Sequence, residues 1–298
     1  MGINRDERVE WERPDAALVV EGGGMRGVFS TGLLDGFLER EFDPFNLCIG
    51  VSAGATSIAA YLAGMQGRNR KIYTEFSVCP EFVNLWRFLR GGHLMDLDWM
   101  WGQTISRMRL DLDRIYSRRR PFLVGMTDVR TGAPVYRVTS ADDLEQVLKA
   151  SSALPVIYRG FPLVDGRPMT DGGLSDPIPV AEAIRRGAKR LMVVRSRPHG
   201  HRSRPDATSL FAYWFLRNYP ALQSAMKSHD RIYNDAVTLI NRPPDGVSIT
   251  EISPPESFRP GRFTRDVRTL IEGYDQGRAM AGQAIARWQR DNGTEGPQ

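Results

Sequence analysis

Apolar residues fall along this chain in two rhythms: short unbroken runs that suit buried strands, and i, i+3, i+4 spacings that suit helices. The first run, Ala16-Ala17-Leu18-Val19-Val20, passes through Glu21-Gly22-Gly23-Gly24-Met25-Arg26-Gly27 into Phe29, Leu33 and Phe37 with Leu34 and Leu38. That order predicts strand, glycine turn, helix. The pattern repeats at once: Asn46-Leu47-Cys48-Ile49 reads as a strand, Gly50-Val51-Ser52-Ala53-Gly54 as a turn, and Ala53 to Ala63 as a helix of small residues. From Arg68 to Ser117 the spacing is helical but broken, with Phe82, Leu85, Trp86 and Leu89, then Gly91-Gly92, then Leu97, Met100 and Trp101. Trp86, Trp99 and Trp101 are expected to pack against the sheet, because burial is the commoner use of an aromatic ring.

Pro121 to Thr127 predicts a third strand, turning at Thr131-Gly132 into Val135-Tyr136-Arg137-Val138, with a helix from Ala141 to about Ser151. Phe161-Pro162-Leu163-Val164 and Pro168-Met169-Thr170 flank Asp165-Gly166, a strong hairpin signal, and the second arm leads into Asp171-Gly172-Gly173. Pro179 to Arg186 reads as a helix stopped by Gly187, and Arg190 to Val194 as a buried strand. The periodicity then lapses in the basic stretch from Arg195 to Pro205, which is expected to be a solvated loop. Helical spacing returns over Leu210 to Leu216, Tyr219 to Ile240 and Thr264 to Arg290, with a late strand at Val247 to Ile252. Phe211, Trp214 and Tyr219 are expected in the core. The expected organisation is a charged tail over 1–15, an α/β core over 16–200, and a mainly helical extension over 201–298 packed on that core.

Composition narrows the function classes. The 298 residues are 41% hydrophobic, enough to bury a sizeable core, and 25% charged. A formal charge of +5 is a mild basic excess with no nucleic-acid reading motif beside it, so no nucleic-acid partner is expected. Cys48 and Cys79 make neither a disulfide scaffold nor a metal cluster, which favours a reducing, cytoplasmic setting. The first 15 residues lack the apolar centre of a secretory signal, and Asp6 stands where a myristoylation motif wants Ser or Thr. No run approaches the roughly 18 uninterrupted apolar residues of a membrane span, so any membrane contact must be peripheral.

The chemistry concentrates in the turns. Gly-x-Ser-x-Gly between a strand and a helix presents Ser52 on a sharp bend, with Gly50 and Gly54 leaving room for it. The glycine turn of the first unit supplies amide donors at a helix N-terminus, suited to an anion. A nucleophile, amides for an oxyanion and a base are the parts of acyl transfer. Asp171 is the base candidate. Of the histidines that follow it, His199 and His201 sit in the basic loop and His229 on a helix, with no turn to fix any of them over Ser52, so a Ser52/Asp171 dyad is preferred to a triad. Gly22-x-Gly24-x-x-Gly27 also fits a dinucleotide fingerprint, but the second strand ends in Gly50-Val51-Ser52 instead of the acidic residue a ribose wants. No Lys-Ser/Thr pair follows for a phosphate loop. His199-x-His201 lacks a third ligand nearby, so no metal and no cofactor are expected.

Glu-Gly-Gly-Gly-Met-Arg-Gly, Gly-Val-Ser-Ala-Gly and Asp-Gly-Gly, in that order, resemble the patatin-like phospholipases, most closely the bacterial patatin-family esterases. The likeness covers roughly Ala16 to Val194, including Ala150-Ser151-Ser152-Ala153-Leu154-Pro155 before the aspartate strand. It implies a three-layer α/β/α fold on a mostly parallel sheet and hydrolysis of lipid acyl esters by a Ser-Asp dyad. Matched position by position, Ser52 is the nucleophile and Asp171 the base, and the Gly23, Gly24 and Met25 amides form the oxyanion loop. Arg26 either steadies that loop or meets a lipid phosphate. Gly22, Gly27, Gly50, Gly54, Gly172 and Gly173 are the motif glycines. The rival expectation is a module that keeps the fold and binds lipid or protein without catalysis; substrate selectivity and oligomeric state are left open.

Overall fold

In the computed structural model, which describes residues 15–205 and 213–293, an eight-stranded sheet lies between two layers of helices. Residues 1–14 of the expected tail, and Phe211, fall outside the described residues. β1 (Ala16–Val20) leads through a 3-10 turn at Gly24–Gly27 into α1 (Val28–Leu38), and β2 (Leu47–Val51) leads into α2 (Ala53–Leu62). The broken region becomes α3 (Arg68–Lys71), a π-turn at Ile72–Phe76, α4 (Leu85–Leu89), α5 (Leu97–Met108) and α6 (Leu112–Ser117). Then come β3 (Phe122–Asp128), β4 (Pro134–Val138), α7 (Leu144–Ser151), and the hairpin β5 (Leu163–Val164) and β6 (Arg167–Asp171). The chain closes with α8 (Val180–Arg185), β7 (Arg190–Val194), α9 (Pro220–Asn241), β8 (Ser248–Ile252) and α10 (Val267–Asp291).

Strands β3, β2, β1, β7 and β8 run parallel in that order; the inner β2, β1 and β7 are largely apolar without alternation because both their faces are covered, whereas β8 at the edge mixes polar and apolar residues. On one face Leu18, Val20, Cys48, Val124 and Met192 pack with Phe29, Leu33 and Ile58. On the other, Ala17, Val19, Ile49, Leu123 and Val193 pack with Val180, Ala183, Val237 and Ile240. The C-terminal extension is therefore part of the core layers. Its strand β8 pairs with β7 from Arg190↔Ser248 to Val194↔Ile252, and α10 lies along α1. That helix pair approaches closely because small residues face each other. A Cβ added at Gly277 would stand 2.1 Å from the Phe29 carbonyl oxygen, and one at Gly32 2.0 Å from that of Tyr274.

The antiparallel strands place the site. Gly125 pairs with Val51 of β2 on one edge of β3 and with Tyr136 of β4 on the other. One residue on, Met126 pairs with Val135 of β4 and with Asp171 of β6. Strands β2 and β6 therefore share one edge of β3 and meet there end to end, at successive register positions. The residue after Val51 is Ser52.

Two expectations about aromatics are overturned. Trp86 is 72% exposed, because Phe82 and not α4 supplies the contact with the interior; Trp101 is partly buried against the cluster that includes the sheet, whereas Trp99 packs in the cluster of Phe76, Phe82 and Met100, away from the strands. Trp214 is 60% and Tyr219 39% exposed; among the described residues 213–219, Leu216 alone is buried. Among the described residues no helix is long and apolar enough to cross a membrane.

Candidate active site

Ser52 sits between β2 and α2 with φ 52° and ψ −125°, a region that costs a non-glycine residue about 1–3 kcal/mol and is held only by its surroundings. The flanking glycines are required by closeness. A Cβ at Gly54 would lie 2.4 Å from the Val20 carbonyl oxygen, and one at Gly50 2.8 Å from the Ala55 backbone. Ser151, at the end of α7, completes the support: its buried hydroxyl accepts the Ser52 amide at 2.7 Å and donates to the Gly125 carbonyl at 2.7 Å. A buried serine in a helix pattern carries no sequence signal for this, so sequence reasoning missed it as a supporting residue.

The Ser52 hydroxyl donates to Asp171 Oδ2 at 2.8 Å. Both residues are 7% exposed. Asp171 is fixed from several directions: its amide donates to the Ala153 carbonyl at 3.1 Å, its carbonyl accepts the Thr127 hydroxyl at 2.8 Å, and Oδ1 accepts the Gly173 amide at 2.8 Å. Burial raises its pKa above the ordinary carboxylate value, opposed by the hydrogen bonds from Ser52 and Gly173 and by the charge of Arg262. A carboxylate so placed is a stronger base than one in water.

None of the four histidines bonds to either side chain. His93 stacks on Tyr158 and accepts the Arg159 amide. His199 lies 3.2 Å from Glu251, and His201 meets the edge of Tyr233. His229 is pushed toward its neutral form by burial and by Arg262, and lies beside the Gly173–Leu174 backbone. Among the described residues no group of three His, Cys, Asp or Glu side chains comes together at metal-binding range.

The glycine turn lies alongside, with a Cβ at Gly22 falling 3.4 Å from that of Ser52. Its three amides are not equivalent. The Met25 amide donates to the Arg262 carbonyl at 3.1 Å, whereas no protein acceptor takes the Gly23 or Gly24 amide among the described residues. The oxyanion set expected from the sequence is thus reduced by one: a loop some 240 residues along the chain has taken the Met25 donor. At the first turn of α2 the Ala53 amide, next to Ser52, has no intrahelical partner. Arg26 is buried, and its guanidinium donates to the Ser196 hydroxyl at 3.4 Å. Burial first, then Arg262 and Arg197, lower its pKa to about 10.

The base of the turn is held by a buried ionic cluster. Arg195, expected in a solvated loop, has no exposed side-chain surface: it donates to Glu21 at 2.9 Å, Glu251 at 2.9 Å and the Tyr233 hydroxyl at 2.8 Å. The reason is topological, since Arg195 directly follows β7 where three strand ends converge. Glu21 also accepts the Ser196 amide and hydroxyl, each at 2.8 Å. Arg195→Ala would leave Glu21 and Glu251 buried without their cation, a change that costs about 3–5 kcal/mol in comparable pairs. Urea denaturation should show a loss of that size, and a midpoint unchanged from wild type would refute the anchoring role.

Comparison with known proteins finds similarity to two family models, to a curated relative and to a solved structure. Residues 18–184 match the family described as patatin-like phospholipase, and residues 219–290 match a domain of unknown function, DUF6363. Uncharacterized protein YjjU of Escherichia coli (strain K12) is 36% identical over 266 residues, spanning 88% of this chain and 74% of that protein. The crystal structure of VipD from Legionella pneumophila aligns over 94% of this chain and 67% of its own, with a TM-score of 0.45 and 13% identity.

Proposed function

Because this chain belongs to the patatin-like phospholipase family, whose members are generally esterases or lipid acyl hydrolases, we propose that it hydrolyses lipid-like acyl esters through an acyl-Ser52 intermediate. The observation that carries the reading is the 2.8 Å bond from the Ser52 hydroxyl to a buried carboxylate, made on a strained turn beside unengaged amides. Ser52 Oγ attacks the ester carbonyl as its proton passes to Asp171 Oδ2. The carbonyl oxygen becomes an oxyanion and is met by the Gly23, Gly24 and Ala53 amides. The C–O bond to the alcohol breaks, the alcohol leaves with the proton from Asp171, and water, activated by the same carboxylate, releases the acid from Ser52. Arg26, buried beside the turn with no carboxylate paired to it among the described residues, is placed to steady the turn and to favour an ester that carries an anionic group.

A panel of p-nitrophenyl and phospholipid esters of varied acyl length, run with a fluorophosphonate probe, tests this reading. The expected result is turnover of at least one lipid-like ester and a single adduct on Ser52 by peptide mass. Folded wild-type protein that takes up no probe and turns over no ester would favour the rival, a binding module without catalysis.

A further inference from the structure

Among the described residues, three of the most exposed large apolar side chains lie on one five-residue helix. Leu85, Trp86 and Leu89 of α4 are 62%, 72% and 65% exposed, and a folded protein in water gains nothing by presenting them there. The helix is not loosely held. Asn84 caps it by accepting the Arg87 amide at 2.9 Å, and the Arg87 guanidinium donates to the carbonyls of Glu81, Phe82 and His93. The chain on either side is pinned by the Val83↔Met95 bridge and by the Asn84 amide on the Leu94 carbonyl at 2.9 Å. The apolar side chains are thus held outward on a rigid knuckle.

A second exposed ring adjoins it. The Arg159 guanidinium lies 4.5 Å from the ring of Phe88 and 5.6 Å from that of Phe215, so α4 and the turn carrying Trp214 are neighbours. Trp214 is covered by the guanidinium of Arg217 at 4.8 Å. Arg87 is engaged internally, on the Glu81, Phe82 and His93 carbonyls and on Asp96 at 3.6 Å, so the positive charge that the patch presents outward is that of the exposed Arg90, Arg159 and Arg217. We infer that this knuckle, with Trp214 beside it, is the surface by which the protein docks on a bilayer bearing anionic headgroups. Leucine side chains enter the acyl boundary, tryptophan rings sit at headgroup level, and exposed arginines meet the phosphates. A second copy of the chain fits less well: a five-residue helix is far short of the roughly 20–30 residues a side of a stable protein interface, and two copies would oppose like charges.

The docking surface is tied to the site. The Ile157 carbonyl accepts the amides of Leu94 and Met95, and four residues earlier the Ala153 carbonyl accepts that of Asp171. Between them Val156 has φ 76°, strained for a β-branched residue. The inference stands apart from the proposed hydrolysis, because its readout is adsorption.

Cosedimentation tests it, using vesicles of phosphatidylcholine with about 30% phosphatidylglycerol, against phosphatidylcholine alone. The wild-type chain is expected to bind the anionic vesicles and to leave the neutral ones in suspension. Leu85→Ser, Trp86→Ser and Leu89→Ser together should weaken that binding by about tenfold or more, and Arg90→Glu by a smaller factor. Ser52→Ala should bind as wild type does, so that failure of docking and failure of catalysis are read separately. Unchanged binding by the triple variant, or no binding by wild type, overturns the inference. So does a wild-type dimer in analytical ultracentrifugation that the triple variant turns into monomer.

Discussion

Ser52→Ala should lower turnover of the best ester in the panel by about ten-thousandfold or more, the scale seen when a nucleophile is removed from a serine hydrolase, and should abolish probe labelling. The geometry explains why nothing else would substitute. The hydroxyl is the partner of Asp171 Oδ2, and the neighbouring Ser151 hydroxyl is engaged by the Ser52 amide and the Gly125 carbonyl. The variant should keep its fold, since alanine tolerates the site as well as serine does and loses one hydrogen bond. Circular dichroism and a thermal melt check that. Activity retained at even a tenth of wild type would end the acyl-serine mechanism.

Asp171→Asn should separate activity from stability. An amide cannot accept the Ser52 proton, so turnover should fall by about a hundred- to ten-thousandfold, the range for loss of a general base. Stability should move the other way. Burial raises the Asp171 pKa in the folded chain above its ordinary value, so the folded state holds this proton more tightly than the unfolded state does. The cost of burying the charge is absent at low pH and grows as pH rises through the raised pKa. Asparagine removes that cost. The variant should therefore melt above wild type at pH 7, with the gap closing toward about pH 4, near the unfolded carboxylate value. In wild type the same shift sets the acid limb of the rate profile above the ordinary carboxylate range, because only the deprotonated form accepts the proton. A variant that melts lower than wild type at pH 7 would show that Asp171 stabilises the fold, contrary to the direction of its shift.

Much of the local architecture was legible. Strand, glycine turn and helix over 16–38 and again over 47–62 follow from short-range rules, and so does the hairpin at Asp165-Gly166, where φ of 50° and 72° suits the turn the dipeptide signals. The long final helix and the late strand were readable from spacing alone. Less legible were the fates of side chains whose neighbours come from far along the chain. Trp86 reads as a core ring in a helical pattern, yet the pattern says only which residues share a face, not whether anything covers it. Arg195 reads as one charge in a basic run, yet it closes a buried cluster whose other members are Glu21, Glu251 and Tyr233. The amide of Met25 is spent on the carbonyl of Arg262, a contact that no motif announces.

The candidate reacting groups and the turns that carry them could be located from the amino-acid order alone, because glycines two residues either side of a serine, or an Asp-Gly step, act through φ, ψ and steric room within a few residues. Only the tertiary structure decided that these groups meet. Strands β2 and β6 arrive from opposite directions on one edge of β3 and end at Gly125 and Met126, one register step apart, so residues 119 positions distant come within 2.8 Å. Strand pairing is a non-local hydrogen-bond ladder, and its register is set by which faces can be buried together across the whole sheet.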